Sequence, residues 1–281
     1  MANMILTGFF DEYAVSFEDQ LRAMAELGIS YTELRTVNGK NVSLLEGEEL
    51  EQIKALLDSY GFGVSSIGSP LGKIALDGDF EEHLRVAKRV FETANYLGAK
   101  YVRMFSFYPP EGRSITDCEE EVREKLSTLL ALAREYGVTL CHENEARIYG
   151  DIPERCRKVL DWFGGEMRCV FDMGNFVLEG VKPYPSAYEL LKSDIAYFHI
   201  KDARPDGAIV PPGEGEGAIA EILKDYAESA TEDFFISLEP HLQLISEKDA
   251  GVTRRFTNPF VYPDPKTAFT DAANRLKALV K

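Results

Sequence analysis

Basic charge, cysteine, histidine and long apolar runs are all scarce in this chain, and each scarcity closes off a class of function. Against 47 Asp and Glu stand 31 Lys and Arg, a net charge of −16. That excess repels phosphate backbones and anionic lipid, so neither nucleic acid nor a membrane is an expected partner. Cys118, Cys141, Cys156 and Cys169 form no C-x-x-C pair and sit mostly in apolar or helical patterns. They read as reduced, buried thiols of a cytoplasmic protein. No apolar run approaches the ~20 residues of a membrane helix, and the first residues lack a basic n-region, so no secretion signal is expected.

What is present is an alternation of short apolar strands and longer amphipathic helices. With 281 residues, 45% hydrophobic and 28% charged, the chain can bury a large core as a single domain over 1–281. Strands are expected at Met4 to Thr7, Tyr31 to Arg35, Gly63 to Ile67, Tyr101 to Met104, Val138 to Glu143, Arg168 to Asp172, Ile195 to His199 and Phe234 to Glu239. Between them, apolar residues at spacings of three and four predict helices at Ser16 to Leu27, Glu46 to Tyr60, Phe80 to Leu97 and Thr116 to Tyr136. Further helices are expected from a cap at Asp151 to about Phe163, then over Ser186 to Lys192, Ala218 to Ala230 and Pro265 to Leu279. Eight such units with no break in composition predict a (β/α)8 TIM barrel in the α/β class; the alternative is a doubly wound open sheet.

Four strands end on groups that suit a metal. Leu140-Cys141-His142-Glu143 ends in Glu143, Cys169-Val170-Phe171 in Asp172, Tyr197-Phe198 in His199, and Ser237-Leu238 in Glu239. A barrel gathers the carboxyl ends of its strands on one face, so these residues, about one βα unit apart, are expected to converge there. Three carboxylates and one imidazole suit Mn²⁺ best, with Mg²⁺, Co²⁺ and Zn²⁺ as options. Strand alternation then places Cys141 and Thr139 on the Glu143 face and turns His142 toward the helices. The same alternation sends Lys201 inward with His199, and Glu33, Arg35 and Arg103 inward from strands two and four.

At these residues the chain resembles the sugar-phosphate isomerase/epimerase family with the xylose isomerase-like barrel. The resemblance is carried by Cys141-His142-Glu143-Asn144, Phe171-Asp172-Met173-Gly174-Asn175, Phe198-His199-Ile200-Lys201-Asp202 and Leu238-Glu239-Pro240-His241. It implies that Glu143, Asp172, His199 and Glu239 hold a divalent metal, and that Glu143 and Glu239 flank the substrate carbon that loses and regains a proton. Some members of that family carry a histidine three residues after the strand-six aspartate. Asn175 stands there in this chain, able to hydrogen-bond a hydroxyl but not to shuttle a proton.

The expected activity is a metal-dependent isomerase or epimerase acting on a sugar, keto-sugar or polyol-derived substrate through an enediolate, with Glu143 and Glu239 as the acid/base pair. The alternative is a lyase or dehydratase on the same barrel. A multi-metal nuclease needs more histidines than His83, His142, His199 and His241. Arg35, Arg103, Asn175 and Lys201 are the expected substrate-binding residues, with Lys73 a weaker candidate. His241 is expected at the rim or on the surface, and His83 exposed on a charged helix. Pro211-Pro212-Gly213-Glu214-Gly215-Glu216-Gly217 lacks the Lys and Ser/Thr of a phosphate loop and reads as a loop bordering the site. The aromatic segment Gln243 to Pro265 is expected to cover the mouth or to make a subunit contact in a homo-oligomer.

Overall fold

Eight parallel strands run in chain order around a barrel: β1 (Met4–Gly8), β2 (Tyr31–Leu34), β3 (Gly63–Gly68), β4 (Tyr101–Met104), β5 (Thr139–Glu143), β6 (Arg168–Asp172), β7 (Ile195–Ile200) and β8 (Phe234–Leu238). The structure is a computed structural model that describes residues 2–245 and 258–281. Each strand pairs with its chain neighbour from β2 to β8, and β8 pairs back to β1 with Met4 opposite Phe234. That return pairing excludes the open doubly wound sheet. Between β1 and β2 no ladder forms among the described residues; the Thr32 hydroxyl donates to the Gly8 carbonyl at 3.2 Å instead.

The outer layer is α1 (Phe17–Leu27), α2 (Glu48–Tyr60), α3 (Phe80–Leu97), α4 (Glu119–Tyr136), α5 (Pro153–Asp161), α6 (Met173–Leu178), α7 (Tyr188–Leu191), α8 (Ile219–Ser229) and α9 (Pro265–Leu279). The helices form where apolar residues recur on one face: Ala87, Val90, Phe91 and Ala94 of α3 are all fully buried. Each large side chain buried in this way contributes roughly 1.5–3 kcal/mol, so packing rather than propensity holds the layer. Gly28 and Gly98 end α1 and α3 at φ 62° and 74°, a conformation that glycine adopts without a Cβ clash.

Several local expectations are corrected. Asp151 does not cap α5: its carboxylate binds the Arg155 guanidinium, and Ile152 occupies the cap position with no side-chain bond. The helix expected from Thr116 begins at Glu119, after a 3₁₀ turn over Ile115–Cys118. The stretch read as a helix from Ser186 is a π-helical turn, Pro183–Ala187, followed by the four residues of α7 and a 3₁₀ turn. Before it comes α6, which the sequence did not reveal because Met173-Gly174-Asn175-Phe176 has no helical apolar spacing. It starts on Asp172, whose Oδ1 accepts the Asn175 amide at 2.8 Å.

His83 is likewise buried rather than exposed, its Nε2 accepting the Gly72 amide at 2.9 Å. The four cysteines are free and buried, as expected. Most of the segment from Gln243 to Pro265, Phe256 included, lies outside the described residues. At its two ends Gln243–Leu244 pairs with Val261–Tyr262. No described helix is long and apolar enough to cross a membrane.

Candidate metal centre

Strand register brings the charged ends level. His199 stands opposite Asp172 on one side and Ser237 on the other, and Arg103 opposite Cys141. Beneath them Cys141, Val170 and Tyr197 fill the barrel interior, two residues before Glu143, Asp172 and His199. The inward faces of β5, β6 and β7 are thus largely apolar below and charged at their ends, as alternation predicts.

One donor atom from each of Glu143, Asp172, His199 and Glu239 lies within 4.8 Å of all the others, and all four residues are buried. His199 Nδ1 is 3.0 Å from Glu143 Oε1 and 3.4 Å from Glu239 Oε2. Glu239 Oε2 is buried without a hydrogen-bond partner, although it lies 3.4 Å from Lys201 Nζ as well. An orphaned carboxylate oxygen facing two further carboxylates and an imidazole fits a divalent cation, which would satisfy a lone pair left without a hydrogen bond among the described residues.

Cations surround this focus. Arg103 Nη1 donates to Glu143 Oε2 at 3.1 Å and lies 3.9 Å from Glu239 Oε1. Lys201 Nζ donates to Asp172 Oδ2 and Asn175 Oδ1, each at 3.0 Å. Arg35 reaches Asp11, Glu12 and Glu239. Asn175 Nδ2 donates to the Asn144 carbonyl at 2.8 Å and reaches Glu143 Oε1 at 3.4 Å. The four expected substrate-binding residues therefore all lie at the site, each bonded to one of its carboxylates or, for Asn175, also to Lys201. Lys73 stands further out, paired with Glu145 over the Phe105 ring.

Burial and charge set the protonation states. Burial raises the Glu143 carboxyl, but His199 and Arg103 outweigh it and hold the group down at about 2. Asp172 goes the other way, pushed up to about 6 by burial that Lys201 only partly offsets. Burial would strip the His199 imidazole of its proton, yet Glu143 and Glu33 keep its pKa well above the usual range. Lys201 is raised too, because Asp172 and Glu239 outweigh its burial.

Asp11, Glu12 and Asp202 escaped the sequence reading, whereas His241 lies at the rim, one of its two expected places. Asp11 and Glu12 lie in the turn after β1, past Phe9 and Phe10, and bind Arg35; they do not end the strand, so the strand-end pattern that picked out Glu143 passes them by. His241 sits at the rim with Nε2 3.2 Å from Glu239 Oε1 and Nδ1 3.1 Å from Glu12 Oε1. Asp202 explains the glycine loop: its carboxylate accepts the amides of Gly213, Gly215 and Gly217 at 2.8, 3.0 and 2.9 Å. The loop does cradle an anion, but the anion is the chain's own.

A cavity of about 720 Å³ opens at the opposite end of the barrel, among Lys100, Tyr101, Thr139, Arg168 and Phe234 at the strand starts. It contains none of the convergent donors, which gather instead at the carboxyl ends, where barrels of this kind carry their reactive groups.

Comparison with known proteins agrees with this architecture. No curated protein sequence matches the chain. Among solved structures, the probable 3-DHS dehydratase AsbF of Bacillus anthracis superposes with a TM-score of 0.75 at 18% identity, covering 98% of this chain and 99% of that one. The IOLI protein with a bound zinc atom gives 0.76 at 18%, over 99% and 98%. The 3-keto-D-glucoside 4-epimerase YcjR of E. coli, in its apo form, gives 0.69 at 16%, over 99% and 100%. A family model described as xylose isomerase-like TIM barrel matches residues 21–256. The chain belongs to the xylose isomerase-like TIM barrel family.

Proposed function

We propose that this protein is a divalent-metal-dependent isomerase or epimerase acting on a sugar, keto-sugar or polyol-derived substrate by proton abstraction beside a carbonyl. The observation that carries the reading is the convergence of Glu143, Asp172, His199 and Glu239 within 4.8 Å, with Glu239 Oε2 left unpartnered. A divalent ion held by these four residues, Mn²⁺ by preference, supplies Lewis-acid polarisation of the substrate carbonyl.

The chain's own residues do the rest. One of Glu143 and Glu239 removes the proton and the other returns it; delivery to the opposite face gives the epimer. Arg103 and Lys201 hold the charge of these carboxylates in a dry site, where an unpaired carboxylate would neutralise itself instead. Asn175, fixed by Lys201 and the Asn144 carbonyl, stands beside Glu143 as a hydrogen-bonding group. The bound-zinc structure and the epimerase named above share the fold, which is consistent with this reading.

A dehydratase on the same residues is the second reading. The Lys201 ammonium, 3.4 Å from Glu239 Oε2, favours it as a proton donor to a departing hydroxyl. The experiment is incubation of the Mn²⁺-loaded protein with ketoses, keto-sugars and inososes in D₂O, followed by NMR and mass spectrometry. Deuterium beside the carbonyl, lost with EDTA and in Glu143→Gln and Glu239→Gln, is the expected result. A product lighter by one water selects the dehydratase. Undiminished exchange in Glu239→Gln would refute its role as a base.

A further inference from the structure

Glu33 is a buried carboxylate that the proposed reaction does not use. It is 1% exposed, and its two oxygens are divided between two partners. Oε1 accepts the Tyr197 hydroxyl at 2.9 Å, and Oε2 lies 3.0 Å from His199 Nε2. The Tyr197 oxygen is also 2.9 Å from Ser66 Oγ, so with the phenol proton directed to Glu33, Ser66 is the donor to Tyr197. Ser66, Tyr197 and His199 are all buried, and together they run from the barrel interior to the metal centre. The β2–β3 ladder shifts register between Thr32 and Glu33. An irregularity of that kind re-aims a side chain, and here it falls at the residue whose carboxylate meets the imidazole.

We infer that Glu33 is a positioning residue for the metal centre: by accepting a hydrogen bond from His199 Nε2–H it makes Nδ1 the nitrogen that gives up its proton and offers a lone pair to a cation beside Glu143 and Glu239. The inference rests on the proposed metal site. An ionised carboxylate only accepts, so a neutral imidazole against Glu33 must carry its proton on Nε2. His199 Nδ1 is the nitrogen near both Glu143 and Glu239, so this tautomer is the one that serves a cation. Tyr197 holds the other Glu33 oxygen and keeps the carboxylate from turning away. A carboxylate behind a ligating imidazole also raises its donor strength.

The test uses ¹⁵N-histidine NMR of the Zn²⁺-loaded protein together with calorimetric titration by Zn²⁺ and Mn²⁺. The expected spectrum shows the His199 proton on Nε2 and none on Nδ1. Glu33→Met, which removes the acceptor, should weaken metal binding roughly 10- to 100-fold, whereas Glu33→Gln, which retains an acceptor oxygen, should weaken it less. A proton found on Nδ1, or a folded Glu33→Met protein binding within twofold of wild type, overturns the inference and leaves the metal site standing. Wild-type protein that binds neither ion overturns both. Should Glu33→Met fail to fold, the wild-type spectrum still decides.

Discussion

Arg35 Nη1 donates to Glu239 Oε1 at 2.9 Å, so a guanidinium just past β2 holds the carboxylate just past β8 across the barrel mouth. Its Nε and Nη2 donate to Asp11 and Glu12. Burial opposes its charge, but Glu239, Glu12 and Asp11 together raise the Arg35 pKa above its ordinary value. The guanidinium thus holds Glu239 and ties it to Asp11 and Glu12.

Arg35→Lys keeps the charge but cannot serve three carboxylates at once. Turnover should fall at least about tenfold with KM little changed, and Arg35→Ala should also cost about 3 kcal/mol of stability, as breaking a largely buried pair does. Steady-state kinetics and urea denaturation check this. An effect on KM alone would make Arg35 a substrate ligand instead.

Lys201 neutralises Asp172, which is fully buried. Lys201→Met should destabilise the metal-free protein by roughly 3–5 kcal/mol. Saturating Mn²⁺ brings its own positive charge, so the gap from wild type should narrow. Melting curves of both proteins in EDTA and in Mn²⁺ show whether it does; an equal gap in the two conditions would mean that the ammonium and the cation do not share carboxylates.

Asp202 and its glycine loop make a structural prediction. A Cβ on residue 215 would come within 2.2 Å of Asp202 Oδ1, so Gly215→Ala must displace the loop. Asp202→Asn turns an amide N–H toward backbone donors and should cost roughly 1–3 kcal/mol. Denaturation midpoints measure both, and unchanged midpoints would show that the loop is held by other contacts.

His83 gives the stability a pH dependence. Burial, with Lys125 adding to it, holds the imidazole down at about 4 against an ordinary 6.5, so the unfolded chain binds the proton more readily. The contribution is complete above pH 6.5 and is lost as the pH falls from 6.5 toward 4, by about 3 kcal/mol at most. His83→Gln should flatten this part of the stability profile, seen as a difference in urea midpoints between pH 4 and pH 7. Parallel profiles would show that His83 carries none of the slope.

Much of the barrel was legible because its signals are local. Apolar strands of four to six residues, helical spacing in stretches such as Phe80–Leu97, and glycines at helix ends each follow from neighbouring residues alone. The cluster of Glu143, Asp172, His199 and Glu239 was legible for the same reason: each member lies at the end of an apolar strand. What failed were boundaries set by competing side chains. Asp151 could cap α5 or pair with Arg155 and does the latter, while α6 forms because Asp172 caps it at the end of a strand.

The eight strand–helix units, their order and the strand ends that carry charge can all be read from local pattern, since alternation and capping act within a few residues. Which of those charges meet is set by the closed barrel. Glu33 and His199 are 166 positions apart, and Arg35 and Glu239 204, yet they bond directly. That Arg35 serves Glu239 depends on barrel closure, which brings distant charges into a space where each must find a partner, while the burial of His83 and the filling of the glycine loop by Asp202 depend on how loops fold back over 11 to 15 residues.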